Sequence, residues 1–284
     1  MDLPFSLTGR CLHPAIRREP GAGNPIRFVE SRPVRSERWI GAHVLAIQTA
    51  ERPRGSLLGQ LLISLDQAGL DRWEGPKLIV SDGCSPIVGG SWLLDASPPP
   101  PGGTSRTFMR VLRAAALAAP TFTRLTCLQD DVVLAKNFLD YVDQVLMEDD
   151  LGFISWYSSW DAKPRPGNSP RPVLEIGCNA CFGGSQALTL PRRTADILLD
   201  FLESGRWPYR NACDRLFAAA MEGGRFAAHY PVLAQHIGDA NSSLGHHERR
   251  SREFVGEDFD ALALVPGAPA SHGGSSSSAP GEGI

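Results

Sequence analysis

The stretch Thr123–Phe138, TRLTCLQDDVVLAKNF, carries an apolar run into two adjacent carboxylates, Asp130 and Asp131, and then turns apolar again. Like charges at neighbouring positions repel, and each is costly to bury unless something positive stands beside it. The pair therefore either lies in water at a turn, capping the next element, or holds a cation. The run before it reads as a strand, and KNFLDYVDQVL after it as a helix with Phe138, Val142, Val145 and Leu146 on one face.

Outward from this stretch the same alternation repeats. AHVLAIQTA is a short apolar run that reads as a buried strand ending in Gln48 and Thr49. GSLLGQLLISLDQAGL follows, with Leu57, Leu58, Leu61, Leu62 and Leu65 at helical spacing and Gly69 as its C-terminal stop. PKLIVSDG is a second strand closing on Asp82. Strand, helix, strand is the parallel crossover unit of an α/β fold. After a Pro/Gly loop, RTFMRVLRAAALAA reads as a helix stopped by Pro120, and LGFISWY as a further strand. Polar residues thus collect at successive strand ends, the edge where open α/β sheets bind ligands.

The second half is less regular. GCNACFGGSQALTL is a small-residue segment, RTADILLDFLES and NACDRLFAAAMEGG read as helices, and AHYPVLAQHIGDANSSLG is a strand-like run breaking into a polar turn. Residues 1–37, rich in Pro, Gly and Arg, read as an arm laid over the domain or partly disordered. Residues 266–284, rich in Gly, Ser and Pro, read as a disordered tail.

Composition narrows the function. An apolar share of 42% in 284 residues supports a substantial core, and a net charge of -3 with interspersed signs gives no nucleic-acid footprint. The six cysteines are scattered and read as reduced thiols; Cys178 and Cys181 have metal-pair spacing, but no second pair accompanies them. There is no signal-peptide pattern and no apolar window of membrane-spanning length, so a cytoplasmic protein without a transmembrane segment is expected. Neither a GxGxxG turn after the first strand nor a GxxxxGK[ST] loop is present, which weakens dinucleotide and P-loop readings.

Two carboxylates ending a strand, joined by an imidazole from far along the chain, suit a hard divalent cation. Asp131 and His236 are the candidate ligands, with Asp130 holding waters or a sugar. Each has an ordinary alternative: a turn for the acid pair, a structural histidine for His236, and a helix cap for Asp214.

The order of segments adds to this. IQTAERPRGSLLGQLLISL, the acidic stretch with its preceding helix, PRRTADILLDFLESGRWPYRNACDRLF and AQHIGDANSSLG recur in the sequence of a known family. Over roughly residues 43 to 245 the chain resembles GT-A-fold inverting glycosyltransferases, and among them the N-acetylglucosaminyltransferase IV family. AQHIGDANSSLG, similar to that family's QHxGxxSSL segment, is the most specific motif.

The resemblance implies a single α/β domain of GT-A type over residues 38–265, with a mostly parallel sheet flanked by helices and its ligand site at the carboxyl ends of the strands. It implies transfer of a sugar, N-acetylglucosamine foremost, from a UDP-sugar donor to a hydroxyl of a glycan or other acceptor, with Mn2+ or Mg2+ as cofactor. Thr49, Arg52 and Asp82 fall where such enzymes contact the nucleotide. Gln129, Asp130 and Asp131 match the acidic motif, Asp131 and His236 the metal site. Ser242 and Ser243 match contacts to phosphate or acceptor, and Asp214 the catalytic base.

Two departures bear on it. The family's acidic triplet opens with Glu, where this chain has Gln129. No amino-terminal anchor or carbohydrate-binding module is recognisable, so the Golgi setting and N-glycan acceptor are not carried over. A nucleotide-sugar-binding module without transferase activity, or an unrelated α/β enzyme such as a methyltransferase, is the alternative. Trp156, Tyr157 and Trp160 are candidates for stacking on sugars, with core or lid roles equally open.

Overall fold

The run from His43 is a strand because its side chains alternate between two buried faces. Leu45 and Ile47 enter one apolar cluster, Val44 and Ala46 the other, as a strand covered by helices on both sides requires. In a computed structural model, residues 27–30, 42–50, 57–82, 91–96, 103–145, 147, 151–158, 173–178, 184–207, 213–221, 224–238, 250–251 and 253–265 are described.

The elements run β1 (Arg27–Glu30), β2 (His43–Ala50), α1 (Leu58–Gln67), β3 (Lys77–Asp82), β4 (Leu93–Asp95), α2 (Gly103–Ala118), β5 (Arg124–Gln129), β6 (Val132–Leu134), α3 (Phe138–Gln144) and β7 (Leu151–Ser155). They continue with β8 (Val173–Cys178), β9 (Ala187–Pro191), α4 (Arg192–Glu203), α5 (Cys213–Ala220), β10 (Arg225–Tyr230) and β11 (Ala234–His236). Nine strands form one sheet in the order β1-β8-β10-β7-β9-β5-β2-β3-β4, and β6 and β11 form a separate pair. Following the pairings across the sheet, β8 and β9 run against the other seven strands. The α/β class and the mostly parallel sheet flanked by helices are therefore as expected.

Some strands were not legible. Strand β1 lies within residues 1–37, read above as an arm, yet it pairs antiparallel with β8, Arg27 opposite Ile176. Four residues whose partner lies so far along the chain carry no local period. Strands β4 and β6, three residues each, are too short for an alternation to show. Pro231 separates β10 from β11, because it has no N–H to continue a ladder.

Helix α1 buries Leu58, Leu61 and Leu65, and Gly69 stops it as expected, at φ 100°, where a residue without Cβ is favoured. The carbonyls at and beyond the end of α1 are taken up by the start of α3: Asn137 N–H donates to Gln67 O at 3.0 Å and Leu139 N–H to Ala68 O at 2.9 Å. Ser64 of α1 also accepts the Leu134 N–H at 2.7 Å, fastening the helix to β6. At the opposite end of α3, the buried Arg124 guanidinium donates to the carbonyls of Val142 and Asp143 in its last turn and of Val145 beyond it, where a cation meets the negative end of the helix dipole. Burial lowers the Arg124 pKa, with Asp143 opposing.

A hydrogen-bonded chain crosses this side of the sheet. Trp156 Nε1–H donates to Thr189 Oγ1 at 2.8 Å, Thr189 and Thr126 hydroxyls are 2.7 Å apart, and Thr126 meets His43 Nε2 at 2.8 Å. His43 Nδ1 meets the Asp143 carboxylate at 3.0 Å. Since a carboxylate only accepts, Nδ1 carries the proton, Nε2 accepts from Thr126, and Thr126 accepts from Thr189. Burial lowers the His43 pKa to about 4. His229, between Tyr141 OH and the Pro231 carbonyl, each at 2.8 Å, is lowered to about 4 by the same cause.

Candidate active site

Because β2, β3 and β5 are parallel neighbours, their carboxyl ends share one edge: Gln48 lies opposite Gln129, and Ala50 opposite Asp82. Asp130 and Asp131 form the turn between β5 and β6 at that edge. They do not lie in water, being 1% and 5% exposed. Burial removes the solvated turn from the two readings the sequence left open.

Each carboxylate is held. The Asp130 N–H donates to Gln48 O at 3.0 Å, adding one rung beyond the β2–β5 ladder. Its Oδ2 accepts from Thr49 Oγ1 at 2.8 Å. Thr49, implied by the resemblance to contact the nucleotide, is fully buried and its hydroxyl stands on the Asp130 carboxylate.

Asp131 meets the imidazole of His236, with Oδ2 3.2 Å from Nε2. The two residues are brought together by the β6–β11 pair, in which His236 lies opposite Val132, and the Ile237 N–H donates to Asp131 O at 2.8 Å. Strand β11 is pinned from its other side. The Gln235 amide donates to Ser251 O at 3.0 Å and accepts the Ser251 N–H at 2.7 Å. The Tyr157 ring, buried, stands 6.2 Å from the His236 ring. Trp156 is fully buried in the core, its N–H on Thr189, so it does not serve as a sugar-stacking surface here.

Asp82 ends β3 and accepts from Thr107 of α2 at 3.0 Å through Oδ2, while its Oδ1 has no hydrogen-bond partner among the described residues. Arg110 of α2 forks onto Asp95 at 2.6 and 3.0 Å and reaches Ser81 O at 3.1 Å, which fixes α2 against the ends of β3 and β4. Gln129 is half-buried and turns toward β9: its N–H donates to Gln186 O at 2.8 Å and its amide reaches Ser185 Oγ at 3.4 Å.

The structure thus brings together Thr49, Asp130, Asp131 and His236, with Asp82 and Gln129 on the same edge. Asp214 lies in α5, with its side chain outside the described residues, and Arg52, Ser242, Ser243, Trp160 and Cys181 also lie outside them. Among the described residues there is no group of three or more His, Cys, Asp and Glu poised for a metal, and no helix long and apolar enough to cross a membrane. Cys127 is buried.

Gly238 was not singled out by residue type, yet a Cβ at this position would run into the Asp131–His236 pair. The glycine two residues beyond the histidine in HIGD was the available signal.

No family model and no curated protein matches the chain. Among solved structures, it is similar to a glycosyltransferase involved in the glycosylation of the major capsid of PBCV-1, at 11% identity and TM-score 0.40, over 69% of this chain and 94% of that one. A likeness at this level bears on neither substrate nor chemistry.

Proposed function

We propose that this chain is a GT-A-type inverting glycosyltransferase that takes a sugar from a UDP-sugar, N-acetylglucosamine foremost, and transfers it to a hydroxyl of a glycan or other acceptor in the cytoplasm. The observation that carries the reading is the acid pair itself: two adjacent buried carboxylates at the carboxyl edge of a parallel sheet, one oriented by Thr49 and the other against His236.

The residues present fit a divalent cation. Two neighbouring ligands of an octahedral ion bound at about 2.1 Å lie about 3.0 Å apart, close to the 3.2 Å between Asp131 Oδ2 and His236 Nε2. Manganese or magnesium held by these two residues would offset the charge that grows on a departing nucleotide diphosphate. Asp130, hydrogen-bonded by Thr49, is proposed to orient waters or the sugar. Asp82 at the end of β3, with one carboxylate oxygen without a partner among the described residues, is proposed to face the nucleotide, together with Arg52. Ser242 and Ser243 are proposed to contact phosphate or acceptor.

Asp214 is proposed as the base that takes the proton of the acceptor hydroxyl while that oxygen attacks the anomeric carbon from the face opposite the leaving diphosphate. One displacement of this kind inverts the configuration. A carboxylate suffices because the hydroxyl acidifies as its bond to carbon forms. The amino-terminal turn of α5, where Asp214 sits, favours the ionised form.

A thermal-shift screen of nucleotide sugars with and without manganese, followed by product detection, tests the reading. Stabilisation by a UDP-sugar only with manganese, together with a transfer product, is expected. No stabilisation by any UDP-sugar contradicts the site, whereas stabilisation without product for any acceptor leaves a binding module in place of an enzyme.

A further inference from the structure

Gly238 stands two residues beyond His236, and its space is already taken. A Cβ built on it would lie 2.8 Å from Asp131 Oδ2, 2.8 Å from His236 Nε2 and 3.1 Å from Asp131 Cβ, all inside the roughly 3.5 Å at which carbon makes its best contacts. Its φ is not in the left-handed region, so the need for glycine is one of room rather than backbone freedom.

Neither side can withdraw cheaply. Asp131 and His236 are 5% and 4% exposed, so their side chains cannot swing out into water and must displace packed neighbours to move. The backbone leading into Gly238 is held at two points. Its neighbour Ile237 donates to Asp131 O, and β11 before it is paired with β6 and tied by Gln235 to Ser251.

We infer that Gly238 is a positioning residue: the absence of a side chain there lets Asp131 and His236 stand side by side at the separation a cation needs, and any larger residue drives them apart. The link to a cation rests on the function proposed above; the packing claim does not.

The test is a stability comparison of the full chain in EDTA. Gly238→Ala should lower the thermal midpoint in the wild-type background, and should lower it much less in an Asp131→Ala/His236→Ala background, where the two atoms at 2.8 Å are gone and only the Cβ of residue 131, at 3.1 Å, remains. An equal loss in both backgrounds, or no loss in either, overturns the inference. Should Gly238→Ala alone fail to fold, recovery of folding in the triple variant supports it and failure there overturns it.

Manganese binding, followed by the electron paramagnetic resonance of the free ion, separates the two claims. Binding by wild type that weakens at least tenfold in Gly238→Ala supports both, and equal affinity overturns the role of Gly238 in cation binding. No binding by wild type overturns the metal reading alone, and the stability comparison still decides the packing claim.

Discussion

Asp131 and Asp214 are assigned to different steps, so their variants should fail differently. Asp131→Ala is expected to abolish manganese-dependent binding of a UDP-sugar, measured by calorimetry; donor affinity equal to wild type would remove the metal assignment. Asp214→Asn should bind donor normally and lose transfer, and retained turnover would remove it as the base. Thr49→Val keeps the shape but takes away the hydroxyl on Asp130. A buried carboxylate oxygen losing that bond costs about 1–3 kcal/mol of folding stability, so the melting point should fall, and donor KM should rise as Asp130 loses the bond that orients it. At this scale the sequence was informative about residue types and poor about surroundings. Asp130 and Asp131 were conspicuous, but whether they met water or protein depended on burial, which no neighbour in the chain reveals. Thr49 by itself read as an ordinary strand-end residue, and its bond to Asp130 was not legible because the two lie 81 residues apart.

Elements here are fastened to one another by single polar groups at their ends. Helix α1 holds β6 through Ser64, whose hydroxyl accepts the buried Leu134 N–H. Ser64→Ala leaves that donor without its acceptor and should cost about 1–3 kcal/mol, visible as a lower urea midpoint with an unchanged slope. Because β6 carries the turn with the acid pair, donor affinity should fall with it; an unchanged midpoint would show that α1 does not support β6. Long periodic elements such as α1 and the buried run of β2 were readable, since their apolar spacing mirrors the core they face. Strands β1 and β8 were not, because each exists only through its pairing with a distant partner.

Across the whole molecule, the two neutral buried histidines link folding to pH. His43 and His229 titrate near pH 4 when folded and near 6.5 when unfolded. Below 6.5 the unfolded chain takes up more protons, so stability from these rings is complete above about pH 6.5 and is lost as pH falls toward 4. The loss is roughly 3 kcal/mol for each ring at most. Urea midpoints should therefore decline between pH 6.5 and 4; a flat profile over that window would contradict burial of the neutral rings.

Asp131 and His236 are separated by 105 positions, and β10, the strand before His236 in the main sheet, must enter between β7 and β8 before β11 can reach β6. Closing a chain segment of that length costs on the order of 4 kcal/mol in entropy, a cost that local contacts do not offset. The pair should accordingly form late in folding, after the sheet has closed. A nascent or truncated chain that has made only β2 through β7 presents both aspartates without their imidazole. The Asp131–His236 pair is thus a report on its own scaffold, complete only in a molecule whose β11 has arrived.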